Sequence, residues 1–115
     1  MAVDDVEERV GSWMPTADEL ERLLWGVVAL SLIGDVATTL VGLHLGLVEA
    51  NPVARSAVDG WGLAGLFALK AGALGVALCC RPLLEPAYRP IVPAGLAIPW
   101  TVATLTNVYT ISTVL

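Results

Sequence analysis

Ser31–Pro52 reads SLIGDVATTLVGLHLGLVEANP, and the reading of this stretch decides the fold. Its leucines, valines and alanines are those of a helix that crosses lipid, yet a carboxylate, Asp35, stands among them. Ser31, Asp35, Thr38, Thr39, Gly42, Gly46 and Glu49 recur at i, i+3/i+4 spacing, which places them on one helical face. A charge at the centre of a bilayer is expensive, so this face is expected to meet protein while the opposite face meets lipid. The pair Gly42-x-x-x-Gly46 on the same face reads as a site of close helix packing. The stretch closes on Glu49-x-Asn51-Pro52, in which Asn51 is an expected N-cap and Pro52 the first position of a new helix.

Upstream, Thr16-Ala-Asp-Glu19 has the form of a capping box. It predicts a helix from Ala17 to about Val48, with Glu21 and Arg22 in the aqueous boundary and the span itself at about 23–48. Residues 1–16 form an acidic tail, in which Val3, Val6 and Val10 recur at helical spacing and Trp13 and Met14 suit an interface. The tail has no positive n-region of a signal peptide, so the chain is expected to be retained as written. Downstream, Pro52 to about Val58 is expected to form a short interfacial helix, and Asp59-Gly60 to turn the chain into a second span at about 61–80. Lys70 stands at the centre of that span, too deep to snorkel, and Gly72 lies on its small-residue side. The segment RPLLEPAYRPIVP is too rich in proline for a long helix. A third span at about 94–115 carries Pro99, where a kink is expected, many hydroxyls, and Asn107.

Composition agrees. Of 115 residues, 57% are hydrophobic and 15% charged, well below the about one quarter charged that is usual in soluble domains. The expected fold is all-α: an integral membrane bundle of three transmembrane helices plus a short interfacial helix, forming one domain at 17–115. Acids outnumber bases 11 to 6, which excludes a basic nucleic-acid surface. The single His44 is read as a headgroup or loop histidine, because one histidine supplies one metal ligand. Cys79 and Cys80 are adjacent and are read as reduced, small apolar residues at a helix end. Arg9, Arg22, Arg81 and Arg89 flank one side of the expected bundle and Arg55 the other. The positive-inside rule then places the N-terminus in the cytoplasm of a multi-pass protein of the cell membrane and the C-terminus outside.

At a rise of about 1.5 Å per residue, Asp35 and Lys70 lie at similar depth, with Asn107 about one turn further on. An acid, a base and an amide on three antiparallel spans are expected to form one intramembrane polar cluster together with Thr38 and Thr39. Three roles are open to it. One is a buried ion pair with an amide ligand that holds the bundle in register. A second is a proton or ion path. A third is a Schiff base on Lys70 with Asp35 as counter-ion, for which three helices leave little room.

Gly34-Asp35-x-x-Thr38-Thr39, then Gly46-x-x-Glu49-x-Asn51-Pro52, then Lys70 in the next span, resemble the pattern of a family of small archaeal and bacterial membrane proteins. That family is known only as a domain of unknown function, and the resemblance covers roughly residues 22–115. It implies a compact multi-span domain and supplies no activity. It also implies a second polar cluster, Glu49, Asn51 and Pro52, at the outer mouth. No hydrolase, redox or phosphate-loop motif is present, and neither a metal nor a cofactor is expected. The expected partners are the lipid bilayer and either further copies of the chain or a larger membrane complex. The function expected first is therefore that of a structural or interaction subunit. The alternative is a minimal proton or ion channel or transporter built on Asp35 and Lys70.

Overall fold

The computed structural model describes residues 14–49 and 52–115. The acidic tail up to Trp13, and Asn51 of the corner motif, lie outside the described residues. Among the described residues four α-helices follow in order: α1 (Ala17–His44), α2 (Pro52–Trp61), α3 (Leu63–Cys80) and α4 (Ile91–Val114). Short 3₁₀ turns at Arg81–Leu83 and Pro86–Tyr88 link the last two. No strand occurs among the described residues. Ala17–His44, Leu63–Leu83 and Pro86–Val114 are each long and apolar enough to cross a membrane. The expected all-α architecture of three spans and a short extra helix is therefore present.

α1 starts where the sequence predicts, with Thr16 Oγ1 accepting from the Glu19 N–H at 3.2 Å. It ends earlier than predicted, at His44 and not Val48. The reason is a complete Schellman cap. The Leu47 N–H donates to the Gly42 carbonyl at 2.9 Å, and the Gly46 N–H to the Leu43 carbonyl at 3.0 Å. Gly46 takes φ 86°, a left-handed conformation that glycine adopts without a Cβ penalty. The expected Gly42-x-x-x-Gly46 packing motif is corrected accordingly. Gly46 is the residue that stops the helix, and Gly42 is covered by the returning Leu47 side chain. At Gly72 a Cβ would meet nothing within 4 Å among the described residues, and the residue lines a groove shared with Val92, Gly95 and Leu96.

The expected turn at Asp59-Gly60 falls inside α2, which continues to Trp61, and the chain bends instead at Gly62 with φ 66°. α4 begins at Ile91, not Ala94. Pro93 is compatible with that start because N–H groups of a helix's first turn have no intrahelical acceptor to lose. Pro99 sits within α4, which runs unbroken past it.

α1 and α4 run side by side in the same direction. Val28 packs with Ala97 and Trp100 in the buried core, and one turn on Thr104 Oγ1 donates to the Ser31 carbonyl at 3.2 Å. A Cβ at Gly34 would stand 2.9 Å from Thr104 Cγ2, so this seam is closely packed. α3 runs the opposite way, since Arg81 reaches Glu21 near the start of α1 and Lys70 reaches Asp35 in its middle. The Arg81–Pro90 linker and the start of α1 thus share one end of the bundle, and Glu49 with α2 forms the other. Leu30, Ile33, Val76 and Leu105 stay exposed on the outward faces, as lipid contact requires.

Candidate functional site

The chain brings an acid, a base, an amide and two hydroxyls from three helices to one point. Asp35, from the middle of α1, is 4% exposed. Its Oδ2 accepts from the Lys70 ammonium of α3. Its Oδ1 accepts from Asn107 Nδ2 of α4 at 3.3 Å and from Thr39 Oγ1 at 3.4 Å. Asn107 also donates to Thr38 Oγ1 at 2.9 Å and to Thr39 Oγ1 at 3.1 Å. The Thr38 hydroxyl spends its own proton on the Gly34 carbonyl, at 2.7 Å, so its lone pairs are left for the amide. Donors therefore converge on one carboxylate: Asn107 feeds Thr39, and Thr39, Asn107 and Lys70 all feed Asp35. A buried charge is tolerated when it is paired and hydrogen-bonded in this way. All five residues expected in the intramembrane cluster meet here.

Trp100, to which the sequence assigned no role, completes the surroundings of the base. Its ring centre lies 5.2 Å from Lys70 Nζ, within reach of a cation–π interaction. The same ring belongs to the core with Val28 and Ala97, and this core closes the cluster on the Arg81 side.

The Glu49 side is more open. A cavity of about 150 Å³ is lined by Asp35, Glu49, Lys70, Pro99 and Trp100 among others. A smaller one of about 40 Å³ is lined by Thr38, Thr39, Glu49 and Asn107. Glu49 thus borders both cavities. Of its expected companions, Pro52 is an exposed residue opening α2, and Asn51 lies outside the described residues.

A second ion pair escaped the sequence reading, which left Glu21 in the aqueous boundary. Glu21 is only 5% exposed. Arg81 Nη2 donates to its Oε1 at 3.0 Å and Arg81 Nε to its Oε2, while Trp25 Nε1 donates to Oε2 at 3.0 Å. The signal available was Trp25 one turn beyond Glu21 on the same face, with an arginine directly after the antiparallel span. Among the described residues no group of three or more His, Cys, Asp or Glu could hold a metal ion. Cys79 and Cys80 are free and exposed.

A family model described as a domain of unknown function (DUF5658) matches residues 26–113. The match takes in the Asp35 cluster and both cavities. No curated protein and no solved structure matches the chain.

Proposed function

The chain belongs to the DUF5658 family, and on that premise we propose that it is a structural or interaction subunit of the membrane, locked in register by its Asp35–Lys70–Asn107 network. The observation that carries this reading is the ligation of a single buried carboxylate from three different helices. A slip of any one helix along its axis would strand a charge or an amide in apolar surroundings. Polar networks with all members satisfied rigidify a core and select one arrangement. Partnership is the second half of the proposal. Ala68 and Gly72 are exposed along α3, and a Cβ at Gly72 would meet nothing within 4 Å among the described residues. That face admits a helix of a second copy or of a larger membrane complex at short distance. The proposed orientation puts Arg22, Arg81 and Arg89 on the cytoplasmic side and Arg55 outside.

A double-mutant cycle tests the lock. Asp35→Ala and Lys70→Ala should each destabilise the bundle by about 3–5 kcal/mol, less whatever the surviving partner regains by becoming neutral. The double variant should recover much of that loss. Losses that simply add would overturn the reading.

The cavity of about 150 Å³ beside the pair favours a second reading, a minimal proton or ion channel or transporter. Its test is flux into liposomes that depends on Asp35. The packed Val28, Ala97 and Trp100 on the Arg81 side oppose conduction in this conformation.

A further inference from the structure

We infer that the groove between α3 and α4 is a binding site for a membrane phospholipid, with its chains along the groove and its phosphate on Arg89. The inference goes beyond the register lock and does not rest on it. It shares Ala68 and Gly72 with the partner surface proposed above, so a docking helix would have to displace this lipid.

Shape comes first. The groove has a volume of about 660 Å³, and its wall includes Ala68, Gly72, Val76 and Cys80 of α3 and Val92 and Leu96 of α4, with no charged side chain. At a rise of about 1.5 Å per residue, the wall from Ala68 to Cys80 is about 18 Å long. It begins at the level of Lys70, in the middle of its span, and ends where Arg81 opens the linker. That length is one leaflet, roughly half of a hydrocarbon core of about 30 Å. Spread over it, the volume gives a cross-section of about 40 Å², whereas a helix with its side chains is about 10–12 Å across and needs about twice that area. A helix would lie over such a groove; hydrocarbon chains lie within it.

The polar end of the occupant follows from Arg89. Its carbonyl accepts from the Val92 N–H at 3.1 Å, so Arg89 stands one helical turn beyond the groove's outer end. Its Nε is buried and meets no acceptor among the described residues. The bonds to nearby Glu21 come from Arg81 and Trp25. The ion pairs of the described residues use Arg55, Lys70 and Arg81. A buried donor left unsatisfied calls for an acceptor. The side chain is only half-buried, and a phosphodiester beside the groove offers oxygens in the geometry that a guanidinium fork matches. Asp18, Glu19 and Glu85 stand at the same end as the arginines, so selection comes from this donor and not from a net positive charge.

The test titrates the full chain in detergent with dioleoylphosphatidylglycerol and follows binding by native mass spectrometry. We expect saturation at one lipid per chain. Dioleoylglycerol has the same chains without the phosphate and should bind more weakly by about tenfold or more. Glycerol phosphate, which lacks the chains, should not compete. Arg89→Gln should bring the phospholipid down to the affinity of dioleoylglycerol, and Arg89→Lys, which keeps the charge without the fork, should fall between. Gly72→Leu combined with Gly95→Leu fills the groove and should abolish the adduct. A Cβ at either position meets nothing within 4 Å, so this variant is expected to fold. No saturable adduct, equal binding of dioleoylglycerol, unchanged affinity in Arg89→Gln or an undiminished adduct in the filled variant would each overturn the proposal. A dimer that forms in excess lipid and carries none would assign the groove to a second copy instead. Failure of the register lock would show in the double-mutant cycle, which contains no added lipid.

Discussion

Lys70 Nζ and the ring centre of Trp100 are 5.2 Å apart, and the same indole is 7% exposed in the core against Val28 and Ala97. One side chain thus serves both the apolar plug and the buried base. Trp100→Ala opens a cavity in that plug and removes the aromatic face, and should cost about 3–5 kcal/mol. Trp100→Phe retains a π-face and should cost clearly less. Chemical denaturation in detergent compares the two, and equal losses would mean that the ring contributes only bulk.

Asn107 provides a sharper probe of the network. Asn107→Leu keeps the volume and removes the amide that donates to Asp35, Thr38 and Thr39. The three acceptors lose a shared donor at a buried site, and a loss of about 1–3 kcal/mol is expected. Asn107→Asp should be worse, because it sets a second carboxylate against the first. A stable, wild-type-like Asn107→Leu would show that Lys70 and Thr39 suffice to hold Asp35.

Close approach of α1 and α4 predicts an overpacking effect at Gly34. The Cβ of Gly34→Val would fall 2.9 Å from Thr104 Cγ2, and such insertions typically cost about 1–3 kcal/mol. Thr104→Ala removes the clashing methyl, so the double variant should be more stable than the sum of the two single effects. Strict additivity would place the two side chains apart.

The Glu21–Arg81 pair should respond unequally to loss of its members. The Glu21 side chain is 6% exposed and that of Arg81 39%. Arg81→Ala leaves a buried carboxylate without its main partner and should be the more destabilising of the two changes. Glu21→Ala leaves an arginine that can turn to water, and should be the milder change. Thermal melts of the two variants decide the order.

Topology yields a prediction free of energetics. Single cysteines at residue 88 in the α3–α4 linker and at residue 56 in α2, introduced after replacing Cys79 and Cys80, should label from opposite sides of a sealed vesicle. Residue 15, before α1, should label with residue 88. Labelling of 56 and 88 from the same side would dismantle the three-span arrangement.

Depth was legible in the sequence, and azimuth only on α1, where the stripe of Ser31, Asp35 and Thr39 marks the face that the structure buries. The constant rise of a helix let Asp35 and Lys70 be set at similar depth, with Asn107 about one turn beyond them, before any contact was known. Rotation about each axis depends on packing, which hydrophobic content alone does not encode when every face is apolar. Trp100 therefore went unassigned, although it lies within two turns of Asn107 on α4. Gly42 and Gly46 misled for a different reason. A glycine four residues after another suits both a packing face and a Schellman cap, and only the Leu47 and Gly46 N–H bonds decide between them. Glu21 was misplaced because its burial comes from Trp25 and from Arg81, 60 positions away.

The antiparallel placement of α3 against α1 bears on how the chain enters a bilayer. Lys70 follows Asp35 by 35 positions, so the acid is synthesised first and must wait for its base. Either charge alone at the helix centre opposes insertion by about 2.5–3.5 kcal/mol. Delivered together as a hairpin, with Pro52–Trp61 at the bend, the two enter as a neutral unit. Asn107 arrives last, so α4 docks onto a hairpin that is already charge-balanced. Lengthening the connection between the first two spans should therefore impair insertion more than lengthening the connection before the third.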